Sequence, residues 1–263
     1  MKKYVVIGNP IGHSLSPKLH NFWFKKNKIN AVYEKKLMDL NNLPEILKDL
    51  KTGKITGLNV TVPFKKDIIK HVDELTQVAK TTQSINTIYK KSDKIIGDNT
   101  DAGGFESALN YINFDAKNKT ILILGAGGVV ASLIFTLNKI GANIIVTNRT
   151  LEKANQLKEN FPNIKIIKWG EKINADMVIN ATSIGLNADD KFNIDLSNIK
   201  NKLFYDVIYN LNKTDFLRIG EEYGNKTENG MMMFLYQAQL SFKIWHGINL
   251  KIDSEVISFL KNV

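Results

Sequence analysis

The sequence predicts an α/β protein of two domains, an open α/β layer and a Rossmann-like, doubly wound unit, with a cleft between them. Three observations predict it. Short apolar runs alternate with segments of helical period along all 263 residues. The alternation restarts near residue 101, and Ile121-Leu122-Ile123-Leu124 then passes straight into Gly125-Ala126-Gly127-Gly128. Composition is ordinary for a globular chain, at 43% hydrophobic and 24% charged, and the length suits two modest domains.

In the opening domain, Lys3–Gly8 is a short Val/Ile run and reads as a buried strand. A helix follows from Ser16, with Pro17 in its first turn and Leu19, Phe22 and Trp23 on one face. Ala31–Met38 is a second strand, and Leu43–Leu50 a helix stopped by Gly53. Ile55–Val62 is a third strand, halted by Pro63. Two short helical stretches lie between Phe64 and Thr82, before strands near Ile85–Lys90 and Lys94–Gly97.

The second domain opens with a helix over Asp101–Tyr111 and a strand over Thr120–Leu124. Gly127–Ile140 is a helix with Val130, Leu133, Ile134 and Leu137 on one face, ended by Gly141. Strands at Ile144–Thr147, Ile164–Ile167, Met177–Asn180 and Leu203–Val207 follow, with a helix at Leu151–Asn160. Met231–Trp245 and Ser254–Leu260 are closing helices that return the chain to the first domain. The expected division is therefore 1–100 with 237–263 against 101–236.

Composition narrows the function classes. With no cysteine, disulfides and thiolate metal sites are excluded. His13, His20, His71 and His246 form no H-E-x-x-H pattern, so no metal site is expected. MKKYVVIGNP lacks the apolar core of a signal peptide, and no run reaches the ~18 residues that cross a bilayer. A cytoplasmic protein with no membrane partner is expected. The net charge of +10 comes from scattered lysine pairs, not a block, so no nucleic-acid face is expected either.

The glycine-rich turn carries the first chemistry. Gly125, Ala126, Gly127, Gly128 and Val129 place backbone N–H groups and a helix N-terminus where a pyrophosphate can sit. Val130 stands where a third glycine or alanine is usual. At the end of the next strand an NAD site would carry a carboxylate. This chain has Asn148-Arg149-Thr150 instead, and a guanidinium there suits the 2′-phosphate of NADP. The loop Asn180-Ala181-Thr182-Ser183-Ile184-Gly185 follows another strand and should border the cofactor through Thr182.

The opening domain gathers polar groups at strand ends. They are Ser14-Leu15-Ser16-Pro17, Asn59-Val60-Thr61-Val62-Pro63-Phe64-Lys65, Asn86-Thr87 and Gly97-Asp98-Asn99-Thr100-Asp101. Singly, each has a plain structural reading: Ser16 and Asp101 as helix N-caps, Thr61 as a strand residue, Lys65 as a solvated lysine. Later come Tyr205-Asp206-Val207-Ile208-Tyr209-Asn210, Gly230 with Met233, Gln237-Ala238, and Ser241-Phe242 with Trp245.

In this order the motifs resemble the shikimate dehydrogenase family over nearly the whole chain. The resemblance implies NADPH-dependent reduction of 3-dehydroshikimate to shikimate, in the route to chorismate and the aromatic amino acids. It implies that residues 1–100 with 237–263 bind substrate and that residues 101–236 bind NADP. Ser14 and Ser16 then hold the substrate carboxylate, and Thr61, Asn86, Asp101 and Gln237 its ring hydroxyls. Lys65 becomes the acid/base paired with Asp101, and Tyr209 lies near the substrate. Ile208, Gly230 and Met233 lie beside the nicotinamide. A monomer or homodimer is expected. Gln77, Gln83-Ser84-Ile85, Leu211 and Phe234 depart from the usual pattern. A broader quinate/shikimate dehydrogenase and a catalytically silent NADP sensor are the alternatives.

Overall fold

The apolar run at the N-terminus forms β1 (Lys2–Gly8), buried from Tyr4 onward. Helix α1 (Ser16–Lys26) starts with Pro17 in its first turn and ends with Lys25 and Lys26, whose charge suits a helix C-terminus. Leu15 occupies its cap position, so Ser16 is a first-turn residue and not the N-cap. The chain continues through β2 (Ala31–Leu37) and α2 (Leu43–Lys51), which buries Leu43, Ile46, Leu47 and Leu50. Strand β3 spans only Gly57–Val60, shorter than the apolar run Ile55–Val62 suggests. Then come β4 (Glu74–Leu75), α3 (Gln77–Thr82), β5 (Thr87–Lys91), β6 (Lys94–Asp98) and α4 (Asp101–Tyr111).

The second half contains β7 (Thr120–Leu124), α5 (Val130–Ile140), β8 (Asn143–Thr147), α6 (Leu151–Asn160) and β9 (Lys165–Ile167). It continues with β10 (Met177–Asn180), β11 (Leu203–Asp206), α7 (Asp215–Glu222) and β12 (Lys226–Glu228). Helices α8 (Met231–His246) and α9 (Ser254–Lys261) close the chain. This computed structural model describes residues 1–187, 189–209 and 212–261. Asn210 and Leu211 lie outside the described residues.

The chain divides into two units, Met1–Gly104 with Leu235–Val263 and Phe105–Phe234. In the first, one mixed sheet runs β2-β1-β3-β5-β6-β4. Strand β1 is parallel to β2 and β3, while β5 is antiparallel to both β3 and β6. One core gathers Leu47, Leu58, Val60, Phe64, Ile68 and Ile88 with their neighbours. Another is aromatic, with Tyr4, His20, Phe24, Phe242 and Trp245 ring against ring. Gly57 explains how Trp245 lies so close to β3: a Cβ there would stand 2.6 Å from the indole nitrogen.

The second unit holds an all-parallel sheet in the order β12-β11-β10-β7-β8-β9. Strand succession reverses between β7 and β10, the switch point at which doubly wound sheets open a crevice for ligands. Residues Ile121 to Leu124 and the α5 residues Val130, Leu133, Ile134 and Leu137 are all buried. The helix starts at Val130, three residues later than the periodicity predicts, because 127–129 are taken up by the turn itself.

Candidate active site

Sheet order explains why distant residues meet in the first unit. Asn59 pairs with Thr87, and Thr87 with Asp98. The ends of β3 and β6 and the start of β5 therefore share one edge. Lys65 follows β3, Asn86 precedes β5, and Asp101 opens α4 just past β6.

Lys65 Nζ lies 2.5 Å from Asp101 Oδ2, with the side chains 12% and 9% exposed. The plain reading of Lys65 as a solvated lysine is thereby set aside. The Asn86 amide donates to the other carboxylate oxygen, Asp101 Oδ1, at 2.8 Å. Its own oxygen accepts from the Thr100 N–H at 2.7 Å, so Asn86 fixes both the start of α4 and the carboxylate on it. The same amide nitrogen lies 3.4 Å from Gln237 Oε1. Gly104 permits that approach: a Cβ there would stand 2.8 Å from the Gln237 backbone nitrogen.

A second buried layer supports this one. The Tyr33 hydroxyl donates to Asn59 Oδ1 at 2.6 Å. The Asn59 amide donates to the Asn86 carbonyl at 2.8 Å and to Thr87 Oγ1 at 3.0 Å. The Ser241 hydroxyl shares hydrogen bonds with Thr87 and Thr100. Asn59, Thr87 and Ser241 stand in motifs read from the sequence; Tyr33 does not, since an aromatic on a strand signals only packing.

Ser14 and Ser16 are drawn together in the turn after β1, where the Ser16 N–H donates to Ser14 Oγ at 3.3 Å. Thr61 is half-buried beside Gly8, where a Cβ would stand 2.5 Å from its methyl group. Among the described residues, no hydrogen bond ties Ser14, Ser16 or Thr61 to the Lys65–Asp101 pair.

In the second unit the glycine-rich turn lies between three strand ends. The Gly125 N–H donates to the Thr147 carbonyl at 2.8 Å. Gly125 has φ +114, and a Cβ would stand 2.7 Å from the Ala181 carbonyl oxygen, so both backbone and space demand glycine. No side chain caps the N-terminus of α5, and the Val130 N–H turns back to the Gly127 carbonyl at 3.0 Å. These features fit a dinucleotide pyrophosphate. Arg149 is exposed just after β8, and the neighbouring Asn148 amide donates to the Thr150 carbonyl at 2.8 Å.

Thr182 donates to Asn180 Oδ1 at 2.7 Å and accepts from the Ile184 N–H at 3.1 Å. The Gly230 N–H donates to the Ile208 carbonyl at 3.0 Å, and Ile208 and Met233 are buried. Tyr209 stacks on Phe234, ring centroids 4.5 Å apart. The departure at Phe234 thus supplies an aromatic face under Tyr209. Among the described residues, no group of three or more His, Asp or Glu side chains is placed to hold a metal. Among the described residues, no helix is long and apolar enough to cross a membrane.

Comparison with known proteins adds to this geometry. The family profile of the shikimate dehydrogenase substrate binding domain matches residues 6–88, and that of shikimate / quinate 5-dehydrogenase matches residues 106–204. The shikimate dehydrogenase (NADP(+)) of Pelagibacter ubique is 56% identical over 261 residues, covering 98% of each chain. The crystal structure of shikimate dehydrogenase from Aquifex aeolicus aligns with a TM-score of 0.92 at 35% identity, over 99% of this chain and 97% of that one. The Thermus thermophilus shikimate 5-dehydrogenase in complex with NADP(H) and shikimate aligns at 0.88 and 30% identity, over 100% and 98%.

Proposed function

The chain belongs to the shikimate dehydrogenase family, and from that premise we propose how its residues carry the family's reaction, the reversible NADPH-dependent reduction of 3-dehydroshikimate to shikimate. The observation that carries the assignment is the shielded Lys65–Asp101 pair, with Asn86 on the free carboxylate oxygen.

Carbonyl reduction needs a hydride at carbon and a proton at oxygen. NADPH supplies the hydride when bound. Lys65 supplies the proton: its ammonium polarises the carbonyl and gives one N–H proton to the developing alkoxide. In the reverse direction the neutral amine takes the hydroxyl proton back. Asp101 holds the amine in place, and Asn86 keeps the carboxylate from rotating away.

Substrate is held by the same unit. Ser14 and Ser16 donate to the substrate carboxylate, and their convergence in one turn suits a two-oxygen anion. Thr61, Asn86, Asp101 and Gln237 bond the ring hydroxyls. A ligand lacking one of those hydroxyls would leave a buried polar group unpaired, which is the physical basis for selectivity.

The second unit holds NADP. Gly125, Ala126, Gly127, Gly128 and Val129 form the turn that takes the pyrophosphate at the start of α5. Asn148, Arg149 and Thr150 bind the 2′-phosphate. Thr182 borders the cofactor, and Ile208, Gly230 and Met233 border its nicotinamide. Action in the cytoplasm as a monomer or homodimer belongs to the same proposal.

Kinetics of Lys65→Met test it. Loss of a general acid should lower kcat on the order of 10²–10⁴-fold, with KM for shikimate changed far less. Normal turnover by the variant would remove Lys65 from the chemistry.

A further inference from the structure

Asp206 ends β11 with no exposed surface. Burial pushes its pKa up to about 6, against the pull of three donors. The Asn180 amide donates to Oδ1 at 3.1 Å, the Ile208 N–H to Oδ1 at 3.0 Å, and the Thr214 hydroxyl to Oδ2 at 2.6 Å. An ionisable group is costly in such a place unless every lone pair is used. This one joins three separate segments: the end of β10, the loop after β11 and the residue that caps α7.

Each segment leads to a cofactor position. The Asn180 oxygen accepts both the N–H and the hydroxyl of Thr182, at 3.1 and 2.7 Å. The Ile208 peptide is held on both sides, its N–H by Asp206 and its carbonyl by the Gly230 N–H at 3.0 Å. At Gly230 a Cβ would stand 2.1 Å from the Val207 carbonyl oxygen, so that contact has no slack. Thr214 packs its methyl group where a Gly185 Cβ would stand only 3.0 Å away. Thr182, Ile208 and Gly230 are thus all within two hydrogen-bond steps of one carboxylate.

We propose that Asp206 is a positioning residue for the nicotinamide end of bound NADP. The proposal rests on the reading of Thr182 as a cofactor-bordering residue and of Ile208 and Gly230 as nicotinamide-bordering residues. Asp206 touches neither substrate nor cofactor in this account; it sets the shape of the loops that do. Substrate binding, which relies mainly on first-unit residues, should be nearly indifferent to it.

The test compares Asp206→Asn and Thr214→Val with the unmodified enzyme, using NADP, shikimate and adenosine 2′,5′-bisphosphate, a fragment without the nicotinamide. Asparagine keeps the shape and one acceptor oxygen but loses the charge. Valine removes one donor and leaves the carboxylate, so it keeps the question open to experiment should Asp206→Asn fail to fold. Hydrogen bonds to charged groups carry enough free energy for roughly tenfold each. KM for NADP should rise about tenfold in Asp206→Asn and less in Thr214→Val, with kcat lowered. KM for shikimate and inhibition by the bisphosphate should stay within about twofold. Unchanged NADP kinetics in both variants would overturn the proposal, as would bisphosphate binding that weakens in step with NADP. Failure of the bisphosphate to compete with NADP on the unmodified enzyme would instead overturn the underlying cofactor reading, and the proposal with it.

Discussion

Replacing His20 with phenylalanine should remove much of the protein's sensitivity to acid. His20 lies on α1 with no exposed surface, stacked on Tyr33 at 4.4 Å and 4°. Neither ring nitrogen has a hydrogen-bond partner among the described residues. Burial, with help from nearby His246, pulls its pKa down from 6.5 to about 3. The unfolded chain therefore takes up a proton near 6.5 that the folded chain refuses until about 3. Stability is complete above the unfolded value and falls as pH drops through that window. The full shift, at ~1.36 kcal/mol per unit, corresponds to ~5 kcal/mol. By about pH 4, some ~3 kcal/mol should be gone through this group alone.

Phenylalanine keeps the ring stack and carries no proton site. Urea unfolding followed by tryptophan fluorescence suits the assay, because Trp23 and Trp245 pack against His20. Carboxylates and His246 titrate in both proteins, so the difference between variants isolates His20. From pH 7 to about pH 4, the unmodified chain should lose ~3 kcal/mol more than His20→Phe. Equal acid losses in the two proteins would refute the reasoning.

Two further predictions concern the second unit. Arg149→Ala should raise KM for NADP about tenfold to a hundredfold while leaving NAD nearly unaffected, since only the former presents a 2′-phosphate; steady-state kinetics with both dinucleotides measures the ratio, and equal losses would count against the assignment. Gly125→Ala forces a Cβ to 2.7 Å from a backbone oxygen at φ +114, so NADP binding by titration should be lost while the first unit remains folded by tryptophan fluorescence.

Local signals account for what was legible in the sequence. The β7–turn–α5 unit shows itself because a buried strand, a glycine turn and an apolar helix face are consecutive. The two-domain α/β class follows from the restart of that pattern. Strand β12, Lys-Thr-Glu at a sheet edge, has no apolar alternation and was not anticipated, nor was α7 before it. Strand β3 begins at Gly57, after Ile55 has packed into the core.

The site divides in the same way. Lys65 and Asp101 are 36 residues apart, and no periodicity pairs them; family resemblance named them, and strand order puts them within reach. Tyr33 and Asp206 were not singled out for any role. Their parts in the buried networks depend on burial and on distant partners, 26 residues away for Tyr33 and, for two of the three donors to Asp206, 26 and 8 residues away, which no local pattern encodes.

The most direct test is dinucleotide reduction by the purified protein, followed by nicotinamide absorbance, with NADP or NAD and with shikimate or quinate. The account predicts rapid turnover with NADP and shikimate, and much slower turnover with NAD or with quinate. Folded protein that binds NADP yet turns over none of the four pairs would contradict it.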